Sequence, residues 1–255
     1  MNHFKLCFSY DFLKLFLVLL PVISKAQNSN ALFTEASFGA SISVGKFANK
    51  EYDGNYLDQA NGLAKVGEGL NLSFGYYIKN SLAVVLMLGG SQIKQDANSF
   101  DRYLKNTFGD NTSTSVETNN WQVFKILGGG YLVVPFSAAN KLSFQVKLLG
   151  GVCKTNIPGS KYAYSVPGNP TPTVGGVTFA KINLPWSFCY QVNAGVKYQI
   201  IQKIYLLFDT GYFGSNPIYK YSYNPNFPSP GSSLQAKKNI TVSALEVMAG
   251  AGIQF

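Results

Sequence analysis

The sequence predicts an all-β fold: an eight-stranded antiparallel transmembrane β-barrel with short periplasmic turns and long extracellular loops. Eight segments of about ten residues alternate apolar and polar side chains, which is the two-residue period of a strand. The connections between these segments alternate between short and long. Only 13% of the 255 residues are charged, whereas Gly (25), Phe (19) and Tyr (16) are plentiful, a composition typical of strands that face lipid on one side.

Residues 1–26 have the features of a signal peptide. Two lysines precede a nine-residue apolar run, and a Ser-Lys-Ala sequence of the small-x-small type follows it. The apolar run is too short for a helix that spans a hydrocarbon core of about 30 Å. We therefore expect export, cleavage after Ala26, and a barrel domain that comprises residues 27–255.

Each predicted strand carries apolar side chains at every second position. The strands are expected at residues 36–44, 69–78, 82–91, 121–134, 142–152, 186–200, 204–213 and 241–255. The sixth alternates most clearly, since Trp186 and Phe188 flank Ser187. The third alternates weakly, because Ala83 and Val85 make its second face apolar as well. The fourth contains three successive glycines, which mark a bend or close packing within a strand.

The lengths of the connections support a membrane-spanning sheet. Residues 79–81, 135–141 and 201–203 are short connections, and residues 46–66, 92–120, 154–182 and 214–238 are long. Short turns on one side and long loops on the other are typical of outer-membrane barrels. A soluble β-sandwich or a lipocalin-like barrel is the alternative, but neither requires this regular alternation.

The chain ends on an apolar aromatic residue, Phe255, on the apolar face of its last strand. An exposed apolar edge strand promotes aggregation, whereas the last strand of a closed barrel pairs with the first and leaves no edge. Aromatic residues also lie near the ends of several predicted strands, where the girdles of a membrane barrel form.

The sequence resembles a known family. The leader that ends before Gln27, the eight alternating strands and the closing segment 249–255 are similar to the small outer-membrane β-barrel proteins of Bacteroidetes-type bacteria, which resemble the OmpA barrel domain and the PorT-like group. The resemblance implies residence in the bacterial outer membrane, contact with its lipid, and recognition of an assembly signal at Phe255 by the barrel-assembly machinery.

Several charged residues fall on the inward parity of the predicted strands: Lys125, Lys147, Lys197, Asp209 and Glu246. An eight-stranded barrel is just wide enough for its own side chains to fill it. Buried charges need partners, so we expect Asp209 and Glu246 to pair with these lysines and to plug the lumen. The alternative is a polar path through the lumen for ions or small solutes.

The sequence gives little reason to expect an enzyme, a cofactor or a metal site. His3 is the only histidine and lies in the predicted leader, so a catalytic Ser-His or Asp-His pair cannot form in the mature chain. The spacings typical of zinc, calcium and phosphate sites are not found. We therefore predict a protein that is not an enzyme and that needs no cofactor.

Cys153 and Cys189 fall on the inward parity of neighbouring predicted strands. Exported proteins meet an oxidising compartment, so a disulfide between them is one expectation. Free buried thiols are the alternative, because the stagger between barrel strands can hold the two residues beyond bonding distance.

Two of the predicted outer loops have a marked composition. The third contains Lys154, Lys161 and Lys181 without an acidic residue, and basic groups at the rim can bind lipopolysaccharide phosphates. The fourth is rich in tyrosine and proline, and its aromatic residues could bind a protein or a glycan: Tyr219, Tyr221, Tyr223 and Phe227. Alternatively, both loops simply keep the rim hydrated.

The functional prediction follows from these features. We expect a monomeric structural or surface-interaction protein whose loops do the work, with no role in binding nucleic acid. One alternative is a narrow, porin-like channel for small solutes, and another is an accessory component of an outer-membrane secretion system.

Overall fold

The computed structural model describes residues 32–50, 62–136, 141–167, 173–223 and 234–255. The predicted leader with its cleavage site and Phe227 lie outside the described residues. In chain order the strands are β1 (Leu32–Ser43), β2 (Ala64–Lys79), β3 (Leu82–Gln95), β4 (Ser113–Thr118), β5 (Asn120–Pro135), β6 (Leu142–Ile157), β7 (Ser160–Val166), β8 (Thr173–Phe179), β9 (Ile182–Asn183), β10 (Ser187–Gln199), β11 (Ile204–Ser215), β12 (Ile218–Tyr223), β13 (Leu234–Asn239) and β14 (Val242–Gln254). A 3-10 helix spans Gly45–Ala48, and helix α1 spans Ala97–Phe108.

Eight of these strands close into an antiparallel barrel. Their order is β10-β11-β14-β1-β2-β3-β5-β6, and β6 pairs with β10 to complete the ring. The first strand pairs with the last from Phe33 opposite Gln254 to Ser43 opposite Ala244. The predicted eight-stranded antiparallel barrel is therefore confirmed.

The two faces of the barrel wall differ sharply in polarity. On β10, Phe188, Tyr190 and Val192 are exposed, whereas Gln191 and Asn193, which alternate with them, are buried in the lumen. Inward and outward positions alternate along the other barrel strands as well, because successive side chains of a strand point to opposite faces. The wall is therefore apolar outside, and its inner face combines polar and charged side chains with aromatic and aliphatic ones.

Two glycines make room for large rings inside the barrel. A Cβ atom at Gly75 would lie 2.1 Å from Cζ of Phe33, and one at Gly252 would lie 2.4 Å from Cζ of Tyr205. Both distances are far shorter than carbon atoms allow. The missing side chains thus let Phe33 and Tyr205 lie across the neighbouring strand at the end of the barrel where the short turns are, which we call the turn end.

The long connections lie at the opposite end, which we call the loop end, and they carry secondary structure of their own. Several barrel strands also run beyond their predicted limits, as β6 does in reaching Ile157. Strands β4, β7 and β8 form a separate three-stranded sheet, and β12 and β13 form a hairpin. No helix in the described ranges is long and apolar enough to cross a membrane.

Closure of the barrel can be tested by cross-linking its first strand to its last. Thr34 and Ile253 are directly opposite each other and face outward, so cysteines at both positions will have Cβ atoms about 4.5–5.5 Å apart. In a background with Cys153 and Cys189 replaced by serine, we expect the Thr34→Cys/Ile253→Cys variant to form a disulfide that shifts its electrophoretic mobility. Thr34→Cys/Leu142→Cys, which joins strands on opposite walls, should not cross-link, and equal cross-linking of both pairs would contradict the strand order.

Candidate functional site

The inward charges form two clusters in the lumen. In the cluster nearer the turn end, Nζ of Lys147 lies 2.6 Å from Oε2 of Glu35 and 3.4 Å from Oδ2 of Asp209. Nε2 of Gln145 donates a hydrogen bond to Asp209. The Tyr205 hydroxyl donates to Oε1 of Glu35 at 3.1 Å. One ammonium thus holds two carboxylates that belong to different strands.

The second cluster lies nearer the loop end and surrounds Glu246. Nζ of Lys125 lies 2.5 Å from Oε1 of Glu246 and donates to Oε1 of Gln191 at 2.8 Å. Gln191 in turn donates to Oε2 of Glu246 at 2.9 Å, and Asn71 donates to the same oxygen at 3.3 Å. Both oxygens of this buried carboxylate therefore meet donors, as a buried charge requires.

Lys197 is placed differently from the other two lysines. Its Nζ lies 3.5 Å from the centre of the Tyr205 ring and donates to the Tyr77 hydroxyl at 3.3 Å. The ion pairs of the described residues do not include Lys197. The ammonium is held by the faces and hydroxyls of aromatic rings rather than by Asp209 or Glu246.

Apolar layers close the lumen above and below these clusters. At the loop end, the Phe47 and Trp121 rings pack edge to face with centroids 5.1 Å apart, and Nε1 of Trp121 donates to the Gly62 carbonyl at 2.9 Å. At the turn end, the Phe33 ring lies 5.1 Å from Tyr77 and 5.2 Å from Tyr131. Side chains thus fill the barrel along its axis.

Glu35 is the one lumen charge that the sequence prediction missed. The first strand was predicted to begin at residue 36, but β1 begins at Leu32. Extending the predicted strand by one position places Glu35 on the same inward face as Ser37, so the signal was present in the sequence. With Glu35 included, the buried lumen charges of the described residues balance as three acids against three lysines.

Cys153 and Cys189 are both buried and both free, so the structure does not contain the disulfide considered above. The strand register supplies the reason. Cys153 lies opposite Ser187, and Cys189 lies opposite Gly151, so the two cysteines are diagonal rather than opposed. Sγ of Cys153 contacts Oγ of Ser215 at 3.2 Å, and the two thiols also lie within hydrogen-bond reach of each other.

A compact unit covers part of the loop end. It consists of α1, β4, β7 and β8, and we call it the cap. The Phe108 ring stacks on Tyr164 with centroids 4.4 Å apart, and Phe100 stacks on Tyr162 at 6.5 Å. The Thr114 hydroxyl donates to the Asp101 carboxylate and so joins β4 to α1.

Charged groups fix the start of the cap. Asp96 accepts a hydrogen bond from the backbone N–H of Asn98 as the N-cap of α1, and its carboxylate lies 2.6 Å from Nζ of Lys65. Burial by itself raises the pKa of Asp96, but the hydrogen bond and the charge of Lys65 outweigh it and leave that pKa below its usual value. The hydrogen bond from Thr114, together with Lys105, lowers the pKa of Asp101.

The three lysines predicted in one loop are divided between a barrel strand, a strand of the cap and a connection. Lys154 belongs to barrel strand β6, Lys161 lies on β7 opposite Glu117, and Lys181 directly precedes β9. They therefore do not form one basic loop. This finding corrects the predicted loop boundary at residue 154, because β6 continues to Ile157.

The tyrosine-rich segment is described only in part. Tyr219 is partly buried and packs against the core, while only the backbone of Tyr221 and Tyr223 is described. At the chain end, Phe255 is 40% exposed and its backbone N–H donates to the Leu32 carbonyl at 2.8 Å, which ties the last residue to β1. Within the described ranges, no group of three or more His, Cys, Asp or Glu side chains could hold a metal ion.

No protein-family model matches the chain, and no curated protein matches it. Among solved structures, the chain is similar to Neisserial surface protein A, at 14% identity and a TM-score of 0.44 over 89% of this chain and 98% of that one. It is also similar to the E. coli Outer Membrane Protein W, at 12% identity and a TM-score of 0.41 over 90% and 100%. It is similar as well to Ail, the attachment invasion locus protein of Yersinia pestis, at 13% identity and a TM-score of 0.39 over 88% of this chain and 99% of that one.

Likenesses at this level carry no inference about what the chain does. The class of the protein follows from its own barrel instead. The chain is a small, closed, eight-stranded antiparallel β-barrel that buries six charged side chains in its lumen and exposes a belt of large apolar side chains on its outer wall. A soluble barrel has the opposite arrangement.

Lys147 allows a test of the lumen clusters. We expect Lys147→Met to lower the free energy of unfolding by about 3–5 kcal/mol, because it leaves two buried carboxylates without their cation. The measurement is the urea midpoint at which the refolded protein loses its heat-modifiable electrophoretic band. The control Lys147→Met/Glu35→Gln/Asp209→Asn removes all three charges at similar volume and should recover most of the loss. An unchanged midpoint in the single variant would mean that Lys147 does not hold the two acids.

Proposed function

We propose that this chain is an outer-membrane barrel protein that does not conduct and that works as a surface-interaction protein through its loop-end cap. The observation that carries the proposal is the filled lumen. Two charge clusters, in which each carboxylate contacts a lysine ammonium, lie between two aromatic layers. A barrel of this size has no space for a path once its side chains have paired.

The outer wall supports the membrane placement. On β6, the outward residues from Leu142 to Val152 are apolar or glycine, and most are exposed. Ten residue steps span about 34 Å along a strand, which is about 26 Å of height at a tilt of about 40°. The apolar band of outer-membrane barrels is about 25 Å tall. Soluble proteins rarely expose so large an apolar surface to water, whereas a surface that contacts lipid is apolar.

The cap is the part of the described chain best suited to bind a partner. The Phe108 side chain is 39% exposed while it stacks on Tyr164, and Val174 is 72% exposed. A rigid aromatic surface binds a protein or a glycan at a low cost in conformational entropy. The helix cap at Asp96 and the stacked rings provide that rigidity.

The other parts of the proposal follow from the same placement. Export through the cleaved leader would bring the chain to the barrel-assembly machinery, which would recognise the last strand and Phe255. A monomer is expected, because the barrel is closed without a second copy. A role as an accessory of a secretion system would use the same outer surface, but no described residue favours it over a general role in surface interaction.

Planar-bilayer recording tests the closed lumen. We expect the mature chain, refolded until it shows the heat-modifiable band, to insert without stable conductance steps, because paired side chains occupy the lumen. The variant Lys147→Met/Glu35→Gln/Asp209→Asn keeps the lumen volume filled and should also stay silent. The proposal is wrong if the unaltered protein conducts steadily and substitutions at Lys147 or Asp209 change that conductance, because the protein is then a channel.

Substitutions on the cap test the interaction surface. We expect Phe108→Glu/Val174→Glu to reduce, by about tenfold or more, the retention of protein-bearing vesicles on an array of extracellular proteins and glycans, because two exposed apolar contacts become charged. Arg102→Gln, an exposed change on the same helix, is the matched control and should bind as the unaltered protein does. Equal retention of the cap variant and the control would exclude the cap as the binding surface.

A further inference from the structure

A polar cluster interrupts the apolar exterior of the barrel at its loop end. Gln122, Asn156 and Asn183 lie opposite one another on β5, β6 and β9, and they share the outward face. One row closer to the middle of the barrel, Lys154 is opposite Phe124. Lys181, which directly precedes β9, contacts Gln122 and Asn156. Five polar side chains therefore lie together across β5, β6 and β9, a width of roughly 10 Å.

Hydrogen bonds hold this cluster in place. Nζ of Lys181 donates to Oε1 of Gln122 at 2.6 Å. In the amide orientation that satisfies both of its polar atoms, Asn156 accepts from Lys181 at 3.1 Å and donates to Oδ1 of Asn183 at 2.7 Å. An ammonium has three N–H groups, and these contacts use two of them. The third is free to meet a ligand outside the barrel.

Aromatic rings border the cluster on the membrane side. The Phe124 and Trp186 rings meet edge to face with centroids 6.1 Å apart, and both are exposed on the outer wall. Ser187 is opposite Cys153, so Trp186 precedes β10 at the height of Lys154. Lys154 is therefore flanked by two rings of the kind that lie at a membrane interface.

The height of the cluster agrees with a headgroup layer. Lys154 is the next outward residue after Val152, where the apolar band of β6 ends. Lys154 and Lys181 are both exposed, and the ion pairs among the described residues include neither. Glu68 is the nearest acid on the outer wall, opposite Gln92 of β3, and β3 separates it from β5. The cluster thus carries net positive charge at the edge of the apolar band.

We propose that Lys154 and Lys181, with the amide N–H groups of Gln122 and Asn183, bind the phosphate of a lipid A headgroup in the outer leaflet, while Asn156 holds the cluster together through Lys181 and Asn183. The proposal rests on the membrane placement argued above and adds a ligand to it. Lysine ammonium groups and amide N–H groups are donors for phosphate oxygens, and the aromatic pair below would contact the upper part of the acyl chains. Lys161 takes no part, because it lies in the cap opposite Glu117.

Trp186 provides a reporter inside the site. The chain has two tryptophans, and the other, Trp121, is buried at the loop end of the lumen. In a Trp121→Phe background, phosphatidylcholine vesicles that contain diphosphoryl lipid A with brominated acyl chains should quench the fluorescence of Trp186. We expect Lys154→Gln/Lys181→Gln to raise the half-saturating lipid A fraction about tenfold, because two charge-assisted contacts are lost.

Two comparisons make the result specific. The matched control Lys161→Gln/Lys220→Gln removes two other exposed lysines and should leave the half-saturating fraction unchanged. Brominated lipid A without phosphates should quench weakly and equally in the unaltered protein and in the double variant. Equal quenching by the phosphorylated and dephosphorylated lipids, or an unaltered response in Lys154→Gln/Lys181→Gln, would overturn the proposal.

The remaining outcomes distinguish a lipid phosphate from free phosphate, and failure of this inference from failure of the proposed membrane function. If millimolar inorganic phosphate abolishes the quenching, the site binds free phosphate and the assignment to a lipid is wrong. If the protein shows its heat-modifiable band in vesicles but does not prefer phosphorylated lipid, only this inference fails. If the protein does not insert into vesicles at all, the proposed membrane function fails with it.

Discussion

The narrow bore of an eight-stranded barrel is the constraint on which the rest of the structure depends. Because the inward side chains from opposite walls touch, every inward charge must find a partner in the lumen. Lys147 meets this demand by contacting Glu35 and Asp209, and Lys125 meets it by contacting Glu246. Closure of the barrel also turns the other face of each strand outward, where the side chains are apolar. The pairing of charges inside and the apolar surface outside thus both follow from the closed eight-stranded barrel.

The two-residue period of the sequence predicts the barrel strands and their inward residues. It does not predict which inward residues contact one another, because those contacts join strands that are distant in sequence. The alternation along β10 identified the strand and its inward residues before any pairing was known. The partner of each charge depends on register and shear, which no local pattern contains. Lys197 shows this limit, because its inward position was predictable but its contact with the Tyr205 ring was not. The cap was also missed, since β4 and β7 pair between two different loops.

The described chain divides the work between a fixed interior and an adaptable rim. Inside the barrel, the substitution of one charged residue leaves its partner unpaired, so few substitutions there are neutral. At the rim, the stacked rings of Phe108 and Tyr164 and the cluster around Lys181 stand on a rigid wall and face outward. A surface of that kind can change its ligand without loss of the barrel that supports it.

The contact between Lys147 and Glu35 has a consequence for how the protein is made. These residues are separated by 112 positions in the chain, and they belong to β6 and β1, which lie on opposite walls. The ammonium cannot reach the carboxylate until the sheet has curled round and its first and last strands have met. In the membrane placement proposed above, an open, partly inserted sheet would leave Glu35 without its cation against lipid, where a charge is costly. Insertion and closure would thus be coupled, because Glu35 gains its counter-ion only when the barrel closes.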